Sequence, residues 1–300
     1  MKASFITTVL NEGGNIGKFI DSILNQSRQP DEIIIVDGGS TDGTYETLLE
    51  YDKKYDLVKV YQDKGVNIAK GRNIAIDKAS GEVMLISDAG CVVNKDWAKD
   101  TLKFFPKEDV VAGSYKALVK NNFEYFQGLI TIKKVDRPSR MSSRNVAFKK
   151  KCFNAVGGYP EKSLTGEDNR LMINFAEKGY KIAINPKRQV SWEMRPTLSK
   201  FSLQYYRYGR GDRVQGNLVK STIKKNLVMV LGFWAYLFIF IASLFVYPFL
   251  GLALVLVPLL ILELYAFKLF ARTGKISSLF WVPILLMTKR VSYILGATFK

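Results

Sequence analysis

The segment EIIIVDGGSTDGT, residues 32–44, decides the fold. Its apolar run, Ile33 to Val36, is typical of a strand that is buried on both faces of a parallel sheet. Asp37 and the Gly-Gly-Ser that follow it are turn residues, and residues 44–51 have the pattern of a helix. A strand, a tight turn and a helix in this order predict one βα unit of a parallel α/β sheet.

Similar units stand on both sides of this segment. Strands are predicted at 4–10, 57–61 and 83–87, and apolar residues at helical spacing predict helices at 16–24 and 68–78. This alternation predicts a doubly wound, mostly parallel sheet. The first strand is not followed by G-x-G-x-x-G or by a Walker A lysine motif, which disfavours a dehydrogenase or a P-loop ATPase.

Polar residues gather where the predicted parallel strands end. Asn11 and Glu12 follow the first strand, Asp37 the second and Asp88 the fourth. Each residue alone is explained by turn chemistry. Ligands of open α/β sheets bind beyond the carboxyl ends of the strands, so the shared location predicts a ligand site.

The composition excludes several classes of protein. The 300 residues include 44 Lys and Arg against 27 Asp and Glu, a net charge of +17, yet 48% are hydrophobic, which excludes intrinsic disorder. There is no His, so a His-based catalytic triad and a His-ligated zinc site are excluded, and proton transfer falls to a carboxylate, Lys, Tyr or Cys. No nucleic-acid-binding motif accompanies the basic charge, so membrane lipids and anionic phosphates are the expected partners, not nucleic acid.

The C-terminal residues 220–300 combine nine basic residues and one acidic residue with two long apolar runs. The runs at 226–246 and 251–267 predict a transmembrane hairpin, with 1–219 as a cytosolic domain. Basic residues flank the pair, which places both ends in the cytosol. The alternative is a buried hairpin of a soluble domain. Residues 276–297 predict an interfacial helix or a third span.

The N-terminus favours the same cytosolic location. The polar residues 11–14 interrupt any apolar core of a secretory signal peptide. Cys91 and Cys152 are isolated, which is typical of a reducing compartment.

Five stretches together resemble glycosyltransferase family two, which has the GT-A fold. They are FITTVLNEGGNIGKFIDSILNQ (5–26), EIIIVDGGSTDGT (32–44), ISDAG (86–90), NVAFKKKCFNAVGGYPE (145–161) and LTGEDNRLMINFAEKGYKI (164–182). The resemblance covers roughly residues 3–210. The apolar helices that follow resemble those of membrane-anchored members of the family. It implies an inverting transfer from a nucleotide-diphospho-sugar donor.

The resemblance assigns the donor site to the strand ends. Thr8, Asn11 and Glu12 match the segment that contacts the nucleoside, and Asp37 matches the carboxylate that hydrogen-bonds the base. Arg72 lies in the segment that approaches the donor, where a guanidinium favours the diphosphate. A solvated helix face is the alternative for Arg72.

Asp88 matches the first acid of the family's D-x-D motif, which holds Mg²⁺ or Mn²⁺ against the diphosphate. The second acid is replaced by Gly90. Two alternatives follow: Asp88 binds a cation together with diphosphate oxygens and water, or cationic side chains carry more of the charge.

Two further pairs of residues complete the implied site. Glu167 and Asp168 match the family's acidic pair, with Asp168 as the general base; helix capping is the alternative. Gln204 and Arg207 match the Q-x-x-R-W motif of processive members, with Tyr208 in place of Trp, and would bind the departing diphosphate. An amphipathic linker helix at the membrane surface is the alternative for this segment.

These expectations converge on a hexosyltransferase-type enzyme (EC 2.4) that glycosylates a lipid-linked or glycan acceptor at the cytosolic membrane face, in cell-envelope or glycolipid biosynthesis. A processive polysaccharide synthase and a non-catalytic nucleotide-sugar-binding membrane protein are the alternatives.

Overall fold

The computed structural model describes residues 1–133, 135, 141–162, 165–216 and 224–299. Its strands are β1 (Ala3–Val9), β2 (Glu32–Asp37), β3 (Val58–Gln62), β4 (Val83–Ile86), β5 (Cys91–Val93), β6 (Val110–Leu118), β7 (Val146–Lys149) and β8 (Ile182–Glu193). Its helices are α1 (Ile16–Leu24), α2 (Thr44–Lys54), α3 (Ile68–Lys78), α4 (Trp97–Leu102), α5 (Asn122–Thr131), α6 (Lys150–Ala155), α7 (Glu167–Glu177), α8 (Leu198–Val214), α9 (Lys224–Val246), α10 (Pro248–Thr273) and α11 (Ser278–Thr298).

The described strands form one eight-stranded mixed sheet in the order β3-β2-β1-β4-β7-β6-β8-β5. The pairs β3–β2, β2–β1 and β1–β4 are parallel, as the βα pattern predicts. Beyond β4 the sheet mixes directions, with β7 antiparallel to β4 and to β6, and β8 parallel to β6. The mostly parallel α/β fold predicted from the sequence is therefore confirmed.

The strand ends that carry the predicted site lie side by side, because β1 is paired with β2 on one side and β4 on the other. Asn11 and Asp88 follow β1 and β4 by two residues, and Asp37 ends β2. Helix α3 passes close above β1, since a Cβ atom on Gly71 would overlap the side chain of Thr8. A larger residue at Gly71 would push α3, and the next residue Arg72, away from the sheet.

The core of this α/β part lies between the sheet and its helices. The four residues of β2 from Ile33 to Val36 are all buried, as expected of a strand covered on both faces. Phe148 on β7 stacks against Phe153 at 5.3 Å between ring centroids and lies 5.4 Å from Phe175 on α7. This packing fixes α7, whose first turn carries the predicted acidic pair.

The chain divides into two compact units. The first comprises residues 1–118 and 133–193, and the second comprises 119–132 and 194–300. These limits differ from the predicted domains 1–219 and 220–300, because α5 and α8 pack with the C-terminal helices. Within the second unit, α8 and α11 approach closely: Cβ atoms on Gly209 and Gly296 would each overlap a backbone carbonyl of the opposite helix.

Three described helices are long and apolar enough to cross a membrane: Leu227–Phe245, Gly251–Thr273 and Ser278–Thr298. The first two match the predicted hairpin and expose large apolar side chains, such as Phe238 and Phe245. The third is 39% buried within the structure, against 11% for each of the others, because it packs against α8, α10 and α5. Exposed apolar surface of this extent indicates membrane association.

Candidate active site

The loops after β1 and β2 are joined by hydrogen bonds through predicted donor-site residues. Asn11 adopts a left-handed backbone conformation, with φ of 54°, and its side-chain oxygen accepts a hydrogen bond from the Thr41 amide at 2.9 Å. The Asn11 amide donates to the Ser40 hydroxyl at 2.8 Å, and the Glu12 amide donates to the Thr44 hydroxyl at 3.0 Å. These contacts hold the two loops as one surface at the carboxyl end of the sheet.

Asp37 is fully buried beneath this surface. Its carboxylate accepts hydrogen bonds from the Gly39 and Ser40 amides, from the Ser40 hydroxyl and from the Gln62 side-chain amide, all between 2.5 and 3.0 Å. Asp37 therefore fixes the loop after β2. On neighbouring β1, the Thr8 hydroxyl donates to the Val36 carbonyl at 3.0 Å.

Arg72 lies at the centre of a second cluster. Its side chain is 2% exposed, so the alternative of a solvated helix face is wrong. Its Nη2 donates to Asp88 Oδ1 at 2.5 Å and its Nη1 to Glu167 Oε1 at 2.8 Å. These partners differ from the predicted donor diphosphate: Arg72 connects the turn after β4 to the start of α7.

Electrostatics set the protonation of this cluster. Burial, and after it the neighbouring charge of Asp168, raise the pKa of Glu167 to about 7, although Arg72 opposes both effects. Burial alone would lower the pKa of Arg72. Attraction to Asp88, and after it to Tyr159 and Glu167, outweighs the effect of burial, so the pKa of Arg72 is raised. Arg72 is therefore permanently charged, whereas Glu167 exchanges a proton near neutral pH.

Asp168 is partly exposed beside this cluster and is connected to Asp88 by a second path. Its Oδ2 accepts a hydrogen bond from the Ser142 hydroxyl at 3.2 Å, and Arg144 Nη1 donates to the same hydroxyl at 2.8 Å. Arg144 Nε lies 3.9 Å from Asp88 Oδ2. Three carboxylates and two guanidinium groups, from Asp88, Glu167, Asp168, Arg72 and Arg144, thus form one linked set.

Arg144 is held by an aromatic surface. Its guanidinium lies over the ring of Trp192, 3.9 Å from the centroid, and 5.9 Å from that of Tyr115. Stacking on an indole ring favours a guanidinium over an ammonium group. Sequence reasoning missed both Arg144 and Ser142. The only available signal is their position directly before the segment that resembles the family.

The acidic residues do not by themselves form a divalent-cation site. Mg²⁺ prefers six oxygen ligands. Asp88 supplies one carboxylate, which already contacts two arginines. No group of three Cys, Asp or Glu residues that could hold a metal ion occurs in the part of the chain that the structure describes. The cation predicted at Asp88 stays a prediction.

The predicted pair Gln204 and Arg207 lies on α8 in the second unit. Gln204 is buried, and its side-chain oxygen accepts a hydrogen bond from Arg195 Nε at 2.8 Å, while its side-chain nitrogen donates to the Tyr208 hydroxyl at 2.9 Å. Arg207 is exposed. Gln204 therefore positions Arg195 and Tyr208, a role that the Q-x-x-R pattern did not indicate.

Comparison with known proteins identifies a family model and several relatives that match this chain. The model of the glycosyl transferase family 2 matches residues 4–159, from the second residue of β1 to beyond β7. Glycosyltransferase AglE of Haloferax volcanii is 23% identical over 77% of this chain and 79% of its own length. A glucuronosyltransferase of Methanococcus voltae, named for dolichyl N-acetyl-alpha-D-glucosaminyl phosphate, is 23% identical over 79% of this chain and 78% of its own.

Solved structures share the fold. A Pyrobaculum calidifontis mannosyltransferase in complex with GDP-Man and Mn²⁺ aligns over 99% of this chain and 85% of its own, with a TM-score of 0.62 and 20% identity. TarS of S. aureus in complex with UDP aligns over 72% of this chain and 65% of its own, with a TM-score of 0.53 and 22% identity. With more than half of its residues matched by the family model, the chain belongs to glycosyl transferase family 2.

Proposed function

We propose that this glycosyltransferase transfers a sugar, with inversion at the anomeric carbon, from a nucleoside-diphosphate sugar to a lipid-linked acceptor at the cytosolic face of a membrane. The linked set formed by Asp88, Arg72, Glu167, Asp168 and Arg144 carries the proposal. In support of the proposal, the carboxylate of Asp168 and the guanidinium groups of Arg72 and Arg144 belong to one linked set at the carboxyl end of the parallel strands.

The donor binds at the carboxyl ends of β1, β2 and β4. In support of this, Asn11 and Glu12 lie in the loop after β1, which is hydrogen-bonded to the segment after β2. Thr8 lies on β1 itself. The nucleoside lies against these loops in our proposal, and Asp37 shapes the base-binding surface from below. The sugar then lies towards the turn after β4, which carries Asp88.

Asp168 is the general base. Its carboxylate is partly exposed at the first turn of α7, and Ser142 holds one of its oxygens in place. It accepts the proton of the acceptor hydroxyl as that oxygen attacks the anomeric carbon from the side opposite the diphosphate. Glu167 is buried and bound to Arg72, so it positions the start of α7 instead of contacting the acceptor.

The acceptor side of the proposal rests on the second unit. Helices α9 and α10 expose apolar side chains and are long enough to cross a bilayer, which would hold the enzyme at a membrane that contains lipid-linked substrates. Basic residues at both ends of the hairpin support a cytosolic orientation. The Methanococcus voltae relative is named for a dolichyl-linked substrate, and this supports a lipid-linked acceptor here.

The divalent cation has no step in this proposal. A structural neighbour is bound to Mn²⁺. In this chain a cation at Asp88 would take nearly all its ligands from the donor and water, and it would compete with Arg72 and Arg144 for the carboxylate.

The proposal is tested by incubating membranes that contain the protein with a panel of radiolabelled UDP-, GDP- and dTDP-sugars, followed by organic extraction. We expect one labelled sugar to enter the lipid fraction, with release of the nucleoside diphosphate. Asp168→Asn should slow the incorporation about 10²- to 10⁴-fold while preserving nucleotide binding. Asp56→Asn, an exposed aspartate far along the sequence from both acidic motifs, is the matched control.

Other outcomes identify the alternatives. Nucleotide-sugar binding without transfer or hydrolysis would contradict an enzyme and favour a binding protein. A labelled product that grows to high molecular weight and leaves the lipid fraction would favour a polysaccharide synthase. Full transfer activity of Asp168→Asn would refute the assignment of the base.

A further inference from the structure

The guanidinium of Arg144 lies beside Asp88, which matches the first acid of the family's D-x-D motif: its Nε is 3.9 Å from Asp88 Oδ2, and it stacks on Trp192. We propose that Arg144 supplies the fixed positive charge that holds the donor diphosphate and stabilises its departure, so that nucleotide binding and transfer do not require a divalent cation. This inference rests on the proposed function and names the group that performs one part of it.

The first observation is the loss of metal ligands at the turn after β4. Residues 88–91 form a tight turn in which the Cys91 amide donates to the Asp88 carbonyl at 3.0 Å. Gly90 takes the place of the second acid, and a Cβ atom there would meet no atom within 4 Å. Space for an acidic side chain is therefore present, but the oxygen ligands are not.

The second observation is the position of Arg144 beside this turn. Its guanidinium stacks on Trp192, and Trp192 pairs with Cys91, the residue after Gly90, across β8 and β5. The turn is also joined to β8 through the Glu193 amide, which donates to the Gly90 carbonyl at 3.0 Å. Arg144 is thus fixed relative to the D-x-G turn by the sheet itself.

The third observation separates the roles of the two arginines. Arg72 is 2% exposed, and its two terminal nitrogens donate to Asp88 and Glu167, so it does not face a ligand. The side chain of Arg144 is 15% exposed, against 2% for Arg72, and its Nε lies beside the turn, 3.9 Å from Asp88 Oδ2. Arg144 is therefore the guanidinium of this set that a diphosphate arriving at the turn would meet.

The chemistry balances without a further reactant. The acceptor oxygen forms a bond to the anomeric carbon, and its proton passes to Asp168. The bond between the anomeric carbon and the diphosphate oxygen breaks, and its electron pair leaves with the diphosphate. The guanidinium of Arg144 faces the added negative charge and exchanges no proton, since it stays charged at all relevant pH values.

The test measures the binding of UDP and of GDP to the purified full-length protein by calorimetry, in EDTA and again in Mn²⁺. For the wild type we expect binding of one of the two nucleotides in EDTA, changed by Mn²⁺ less than about threefold. Arg144→Gln should weaken it about 10- to 100-fold in EDTA, the loss expected for a hydrogen-bonded charge. Arg144→Lys should recover only part of this loss, because an ammonium group lacks the planar fork.

Gly90→Asp is the complementary variant, because the open space at Gly90 admits the side chain. We expect it to bind Mn²⁺, measured by electron paramagnetic resonance with the ion alone and with nucleotide, and to make nucleotide binding depend on Mn²⁺. Arg28→Gln, at an exposed ion pair, is the control for the loss of one arginine. Near-ultraviolet circular dichroism of the tryptophans reports whether each variant keeps its fold.

The outcomes separate the two proposals. The inference would be overturned if the wild type bound nucleotide in Mn²⁺ but not in EDTA, and if the folded Arg144→Gln protein had the same affinity as the wild type. That result would leave the proposed function intact. Absence of UDP and GDP binding in every condition would instead contradict the proposed function. Mn²⁺ binding to the wild type as tight as to Gly90→Asp would also overturn the inference.

Discussion

Replacement of Arg72 by Met tests the buried charge cluster most sharply. Met fills much of the same volume but leaves Asp88 and Glu167 without their shared partner. Removing one member of a buried ion pair typically costs about 3–5 kcal/mol. Asp88 is 25% exposed and regains water, and Glu167 takes up a proton because its pKa is already raised to about 7. We therefore expect the lower end of this range, about 3 kcal/mol.

Hydrogen exchange followed by mass spectrometry on the full-length protein is the assay. A loss of about 3 kcal/mol corresponds to about 100-fold less protection of the amides in α3 and α7, the two helices that the cluster joins. A second substitution, Glu167→Gln, should recover part of the protection, because Gln is neutral without taking up a proton. Arg28→Met removes an exposed arginine–aspartate pair and should change protection less than fivefold. Equal protection in Arg72→Met and wild type would refute the reasoning.

Asp168→Asn should lower kcat about 10²- to 10⁴-fold with nucleotide affinity unchanged, measured by steady-state transfer assays. Burial is the main cause that raises the pKa of Glu167 from 4.5 to about 7, so between pH 4.5 and 7 the folded state binds more protons than the unfolded state. The free energy of unfolding should therefore fall as the pH rises through this window. Glu167→Gln should flatten this pH dependence in denaturation experiments. Gly209→Leu or Gly296→Leu should force α8 and α11 apart and lower the unfolding temperature of the second unit by calorimetry, at a cost of about 1–3 kcal/mol or more.

The last two predictions have the following contradicting results. A pH dependence that is identical in wild type and Glu167→Gln would show that another group titrates in this window. Gly232→Leu on α9, where a Cβ atom meets nothing within 4 Å, is the control for the helix-crossing variants. If it destabilises the protein as much as Gly209→Leu, the close approach of α8 and α11 is not the cause.

The sequence predicted the parallel half of the sheet because continuous apolar runs followed by turn residues are strong local signals. Residues 33–36 and the turn after Asp37 are the clearest case, and the strand ends that carry Asn11 and Asp88 followed from the topology. The apolar helices were visible for the same reason: their length and composition are local properties.

The charge cluster could not be predicted in the same way. In the sequence, Arg72 cannot be distinguished from an ordinary helix residue. Its burial follows from the close approach of α3 to β1 at Gly71, and this approach is a tertiary contact. Arg144 acquires its place by stacking on Trp192, a residue of a distant strand. Helix α5 likewise has an unremarkable amphipathic pattern, and only its packing assigns it to the second unit.

The central claim is a single displacement at the anomeric carbon by an acceptor that Asp168 deprotonates. Its most direct test is the anomeric configuration of the glycolipid product, determined by nuclear magnetic resonance after transfer from the donor that the panel identifies. The account predicts a configuration inverted relative to that donor, formed by Asp168→Asn about 10²-fold or more slowly than by the wild type. A product that retains the donor's configuration would contradict it.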